Sequence, residues 1–194
     1  MTVLDVDAAI LAGGQATRFG GRDKCRLLVD GCAIIVRQIE VLQRVARRTV
    51  GIANDPARFA DLDIEVRPDL VAGAGAVGGV YTALASARSP YVLVVACDLP
   101  FLDERVLSRL VELARAGDGA WVRSARGVEP LLACYRASAA PAVRRAIDAG
   151  QLQAAALAGI LQMLALDEVE LATYGSPDRL LANLNTPDDL ARVQ

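Results

Sequence analysis

Leu11-Ala12-Gly13-Gly14-Gln15-Ala16-Thr17-Arg18-Phe19-Gly20-Gly21-Arg22-Asp23-Lys24 follows the apolar run Ala8-Ala9-Ile10, so a strand feeds directly into a loop rich in glycine and basic residues. The glycines let main-chain N–H groups crowd around a polyanion without Cβ clashes, while Arg18, Arg22 and Lys24 bring neutralising charge. The combination suits the phosphates of a nucleoside triphosphate. It is neither of two better-known phosphate loops. Lys24 stands between Asp23 and Cys25, which breaks G-x-x-x-x-G-K-[S/T], and Gly13 and Gly14 are adjacent, which breaks G-x-G-x-x-G.

Outward from this loop, strand-like apolar runs recur at 8–11, 49–53, 64–66 and 91–96, separated by helix-period or turn-rich segments. That alternation predicts a largely parallel sheet. The segment 34–47 sets Ile35, Ile39, Leu42 and Ala46 at helical spacing, with Arg37, Arg44, Arg47 and Arg48 expected on the solvent side or the rim of the cleft. Tyr91 to Ala96 is almost continuously apolar, as a central strand covered on both faces must be. Beyond Gly117 the pattern predicts strands at 120–124 and 130–135, a helix at 138–149 and a mostly helical 178–192. No repeat or Pro/Ser linker divides the chain, so a single domain over 1–194 is expected, with nucleotide in the half about 1–100 and acceptor in the half about 101–194.

Composition narrows the function classes. Of 194 residues, 54% are hydrophobic and 23% charged, which argues against disorder, and a net charge of -2 gives no global pull toward nucleic acid. Cys25, Cys32, Cys97 and Cys134 form no C-x-x-C pair, and with no histidine in the chain the usual zinc sets cannot be assembled. Asp5 and Asp7 occupy the place where a secretory leader would be basic and then apolar, and scattered free cysteines suit a reducing compartment, so a cytoplasmic location is expected. The apolar run Ala154 to Leu166 is broken by Gln162 and too short to span a bilayer; it reads as core or interface, and no membrane association is expected.

Asp98, in Cys97-Asp98-Leu99-Pro100 at the end of the apolar strand, is the candidate metal ligand, because magnesium is satisfied by one or two carboxylates plus water and phosphate oxygens. In open α/β sheets ligands gather at the carboxyl ends of strands, where both the glycine loop and Asp98 lie. Asn54 and Asp69 follow the second and third strands and by default serve as turn or cap residues. Gly73-Ala74-Gly75-Ala76-Val77-Gly78-Gly79 is a glycine-rich turn. In Asn183-Leu184-Asn185-Thr186-Pro187-Asp188-Asp189, Thr186, Pro187 and Asp189 read as a helix cap, which leaves Asn183 and Asn185 without a structural task.

The opening loop resembles the L-A-G-G-x-x-x-R-[M/F]-G-G-x-D-K signature of the molybdenum cofactor guanylyltransferases, a family within the nucleotidyltransferase superfamily. The resemblance extends from Ala9 to Leu190, through the C-D-x-P segment at Asp98, a G-P-L-G-G-like turn at 75–79 and the N-x-N-T-P-E-[E/D]-L-like segment at 183–190. It implies an α/β, mostly parallel Rossmann-like sheet with helices on both faces, similar to the nucleotide-diphospho-sugar transferases. It also implies transfer of GMP from GTP to molybdenum-molybdopterin with release of pyrophosphate, Mg2+ as cofactor, and molybdoenzymes or their chaperones as recipients of the product. Carried over residue by residue, Arg18, Lys24 and Asp98 are catalytic; Leu11, Ala12, Gly13, Gly14, Lys24, Asn54, Asp69, Gly78 and Asp98 bind nucleotide; Asp98 binds metal; Asn183 and Asn185 border the acceptor or metal. Three positions depart from the family: Ala76 stands where proline is usual, Glu129 where histidine often precedes Pro130, and 150–159 lacks the basic or hydroxyl residues expected near a pterin phosphate. Two alternatives stay open, a cytidylyltransferase or other small-metabolite nucleotidyltransferase of the same fold, and a non-catalytic carrier of cofactor or nucleotide. The cytidylyl relatives usually open L-A-A-G and lack the G-x-D-K ending, so Gly13-Gly14 and Asp23-Lys24 favour guanine.

Overall fold

The computed structural model describes residues 3–13 and 23–184. Its organising element is strand β1 (Asp7–Leu11), every residue of which is buried. Behind it come a hairpin, β2 (Leu28–Val29) and β3 (Cys32–Ala33), then helix α1 (Ile34–Val45) and strands β4 (Arg48–Ile52) and β5 (Glu65–Arg67). Helix α2 (Gly75–Ala85) leads to strand β6 (Tyr91–Ala96), and helix α3 (Glu104–Ala114) to strands β7 (Gly119–Ser124) and β8 (Gly127–Arg136). Helix α4 (Ala140–Asp148), a 3-10 turn at Ala154–Gly159, strand β9 (Met163–Asp167) and the short helices α5 (Glu168–Leu171) and α6 (Pro177–Leu180) complete the described chain.

Seven strands form one sheet in the order β5-β4-β1-β6-β8-β7-β9. β1 pairs in parallel with β4 and β6, β4 with β5, and β7 with β9, so β8, antiparallel to both its neighbours, alone runs in reverse. Because side chains alternate across a strand, each strand feeds two cores. Ala8 and Ile10 of β1 and Leu93 and Val95 of β6 meet Ile35, Ile39 and Leu42 of α1 and Val106, Leu107 and Leu110 of α3. Ala9 and Leu11, with Val92 and Val94, meet Val77 and Val80 of α2 and Val143 and Ile147 of α4 on the opposite face. Each such fully buried aliphatic side chain contributes roughly 1.5–3 kcal/mol relative to exposure. The α/β sheet with helices on both faces is as expected, and no described helix is long and apolar enough to cross a membrane.

One sequence expectation is corrected. Arg48 does not face solvent: its side chain is 15% exposed, lies 3.7 Å from the buried Asp7 carboxylate, and bonds Glu65 and the Ser86 carbonyl. A buried acid demands such partners, and Asp7 also accepts from the Arg88 amide and the Ser89 hydroxyl. Of the mostly helical 178–192, α6 supplies the start and ends at Leu180, and 181–184 leave the helix with Leu184 packed among Val29, Ile34 and Phe101; residues 185–192, with Asn185 and the expected cap, lie outside the described residues. The run 154–166, read as core or interface, gives Leu157, Leu161 and Leu166 to the core and turns into β9, paired to β7.

Candidate active site

The carboxyl ends of β1, β4, β5 and β6 share one edge of the sheet, and the amino-terminal part of reversed β8 reaches the same edge. Leu11 lies opposite Ile52 on one side and Ala96 on the other. As the chain leaves β1, the Ala12 amide donates to the Ile52 carbonyl at 2.9 Å and the Leu11 carbonyl accepts from the Cys97 amide at 3.2 Å. Leu11 and Ala12 are therefore pinned between the strands that lead to Asn54 and Asp98, and Gly13 is exposed at the rim. Gly14, Arg18, Gly20 and Arg22 lie outside the described residues.

Lys24 returns to this edge at the head of a 3-10 turn, Lys24–Arg26. Asp23, at the N-cap, accepts from the Cys25 amide at 3.1 Å, which fixes the turn that carries the lysine. Arg26 forks onto Asp61, with one bond of 2.7 Å, and so ties the turn to the segment beyond β4. This bond holds the exposed Asp61 carboxyl down at about 2.

Asp98 begins the turn after β6. Its Oδ1 is buried with no hydrogen-bond partner among the described residues. Burial pushes its carboxyl above the ordinary value, and Lys24 pulls in the opposite direction. A desolvated carboxylate oxygen facing a lysine at the strand ends fits one ligand of a hard divalent cation. No group of three or more metal-ligating side chains occurs among the described residues, which leaves the remaining positions to water and phosphate oxygens. The turn itself is held from beneath: Gln38 of α1, 1% exposed, donates through Nε2 to the carbonyls of Ala96 and Leu99, each at 2.8 Å. From above, the Leu184 amide donates to the Asp98 carbonyl at 3.1 Å, and neighbouring Asn183 lines a cavity together with Asp98.

Asn54 and Asp69 form a reciprocal pair. Asn54 Nδ2 donates to Asp69 Oδ2 at 3.1 Å, and the Asp69 amide donates to Asn54 Oδ1 at 3.0 Å. Asp69 Oδ1 stays buried and unbonded, and burial raises that carboxyl although the Asn54 bond opposes it. Further along, α2 starts with no capping side chain among the described residues, which leaves the amides of its first turn available to an anion, as helix N-termini are. Gly78 sits deeper, its amide bonded to the Ala74 carbonyl at 3.1 Å. A Cβ on Gly78 would stand 2.8 Å from Ala74 Cβ, and one on Gly79 would stand 3.0 Å from Leu11 Cδ1. Gly79 lets α2 close onto β1, and Gly78 makes room for Ala74 at the helix's own start.

Chemically, the arrangement can accept phosphates and one hard cation. The chain matches the MobA-like NTP transferase domain over residues 8–167. It belongs to that family. This nucleotidyltransferase is 34% identical over 191 residues to a probable molybdenum cofactor guanylyltransferase of Chloroflexus aggregans, covering 95% of this chain and 91% of the relative. A molybdenum cofactor guanylyltransferase of Desulfosudis oleivorans is 28% identical over 191 residues, 97% of this chain and 94% of that one. Among solved structures, molybdopterin-guanine dinucleotide biosynthesis protein A from Archaeoglobus fulgidus superposes with a TM-score of 0.82 at 29% identity, covering 96% of each chain.

Two contributors have no motif in the sequence. Gln38 is masked by its place in an amphipathic helix whose polar positions read as solvent-facing. The β2–β3 hairpin, which carries the chain from Lys24 into α1, turns on Asp30 and Gly31 with φ of 51° and 77°. Asp-Gly between Leu28-Val29 and Cys32-Ala33 is the available signal for it.

Proposed function

We propose that this nucleotidyltransferase transfers GMP from GTP to molybdopterin bearing molybdenum, in biosynthesis of the molybdenum cofactor. The observation that carries this reading is the Asp98 carboxylate, desolvated, unbonded at Oδ1 and opposed by Lys24 at the ends of β1 and β6. Support comes from the names of relatives that align over nearly the whole chain.

Leu11, Ala12 and Gly13 would hold base and ribose through backbone groups, and carboxylate or main-chain carbonyl oxygens near the base would accept from guanine N1–H and N2. Gly14 and the open amides of α2 would receive phosphate oxygens. Asp98 would hold Mg2+, which when bound draws charge from the α-phosphate and the leaving oxygens. Lys24 and Arg18 would stabilise the charge that develops on pyrophosphate. The terminal phosphate of the acceptor would attack the α-phosphate in line. A phosphate monoester is anionic at neutral pH, so neither a protein nucleophile nor a general base is needed, and positioning with charge stabilisation suffices. The nucleotide half, about 1–100, would supply the donor site and the half about 101–194 the acceptor site; Asn183 and Asn185 would border the acceptor or metal.

Thermal stabilisation by GTP, CTP, ATP and UTP with Mg2+ tests the donor assignment. Ligand at 100 times its Kd adds about 2.7 kcal/mol, a shift of roughly 5–10 °C for a domain of this size. A shift with GTP alone is expected, and a CTP-selective shift would replace the assignment with a cytidylyltransferase.

A further inference from the structure

Glu129 is a carboxylate with no hydrogen-bond partner among the described residues, in a mostly apolar recess. Its side chain is half-buried on β8, and no hydrogen bond or ion pair reaches it among the described residues. Arg126, the cation that attracts it, bonds Asp178 instead at 3.4 Å. Burial and the nearby Asp98 both push the Glu129 carboxyl above the ordinary value. It lines a cavity of about 310 Å³ that also contains Asp98, with Leu99, Pro130, Leu131 and Leu181 among its walls.

The backbone places it there by a local irregularity. On β7, Trp121 and Val122 are adjacent, but they pair with Ala133 and Glu129, so Pro130, Leu131 and Leu132 are looped out of the β7–β8 ladder. Leu132 pairs with Val95 of β6, and the Tyr135 hydroxyl donates to the Pro130 carbonyl at 2.8 Å, which holds the bulge in shape. Bulges of this kind re-aim side chains beside active sites.

A carboxylate in such a recess is favoured only by an occupant that neutralises or hydrogen-bonds it. The apolar walls select a flat ring, and two carboxylate oxygens match two N–H donors side by side. The 2-amino-4-oxo edge of a pterin has that pattern, with N3–H next to the exocyclic amine. We propose that Glu129 accepts from this edge and is a specificity-determining residue for the acceptor ring, whose phosphate end then lies toward Asp98. This rests on the guanylyl-transfer reading for the identity of the acceptor.

Glu129→Gln and Glu129→Asp are compared with the wild-type protein at saturating GTP and Mg2+. Gln offers one acceptor and one misplaced donor, so the acceptor KM should rise about ten- to hundred-fold with kcat and the GTP KM nearly unchanged, and Asp should recover part of the loss. A second readout needs no turnover: fluorescence titration of the wild type with 6-hydroxymethylpterin and with its 2-oxo counterpart, which lacks the amine. Wild type should prefer the pterin at least about ten-fold, and Glu129→Gln should lose the preference. Equal affinity of wild type for both rings overturns the proposal. So does a variant whose acceptor KM is unchanged while it needs more Mg2+, since the carboxylate then serves a cation. Failure of the underlying reading looks different: wild type would transfer no GMP, and the ring preference would still be measurable.

Discussion

Gln38 brackets Asp98: from the buried face of α1, its Nε2 donates at 2.8 Å to the carbonyls of Ala96 and Leu99, two residues before and one after the aspartate. The bond pair fixes where β6 ends and how the turn carrying the carboxylate leaves it. Gln38→Leu keeps the volume and removes both donors. The Leu99 carbonyl then loses this partner and the Ala96 carbonyl keeps the Leu99 amide at 3.4 Å, at a cost of about 1–3 kcal/mol for a buried group left unpaired. The expected result is a lower Tm together with a fall in kcat greater than the change in the GTP KM, read from thermal melts and steady-state kinetics.

Burial raises the Asp98 carboxyl, so at neutral pH the charged form destabilises the metal-free protein relative to a neutral side chain. That penalty is present above the folded pKa and disappears as pH falls through it. Asp98→Asn should therefore melt no lower than wild type in chelator at pH 7, with any advantage shrinking on acidification, and should lose Mg2+-dependent turnover. Melts across pH 4–8 (roughly the range that brackets a raised carboxylate) check the sign; a variant that turns over with Mg2+ would show that the metal is held elsewhere.

Lys24→Ala removes one donor from the developing charge on the phosphates. A loss of about 3–4 kcal/mol in transition-state stabilisation, or roughly 10²–10³ in kcat, is expected with little change in fold. Pre-steady-state pyrophosphate release and circular dichroism separate the two effects.

Gly79→Ala would place its Cβ 3.0 Å from Leu11 Cδ1 and 3.3 Å from Cδ2. Over-packing of this kind costs about 1–3 kcal/mol, which for a chain of this size lowers Tm by roughly 2–4 °C per kcal/mol. Because Leu11 leads into the glycine loop, nucleotide affinity should fall as well, measurable by calorimetry.

The sheet and its site edge were legible where one physical signal dominated. Tyr91 to Ala96 is apolar because it is covered on both faces, and α1 shows its buried stripe at Ile35, Ile39 and Leu42. Asp98 was legible by its position after such a strand. Strand β9 was not, since Met163 to Leu166 continues an apolar run whose first part makes a 3-10 turn, and composition does not mark the change. Arg48 misled for a related reason: only the tertiary position of Asp7 turns a surface-type side chain inward. Gln38 and the bulge at 130–132 belong to the same class, because their roles depend on backbone atoms far away in sequence.

Incubation with α-phosphate-labelled GTP, Mg2+ and molybdenum-bearing molybdopterin tests whether GMP passes to a pterin phosphate. Guanylyl transfer puts label in a pterin dinucleotide, with one pyrophosphate released for each, and gives no such product from labelled CTP. Label incorporated from CTP, or none from GTP under conditions where GTP binds, would contradict it.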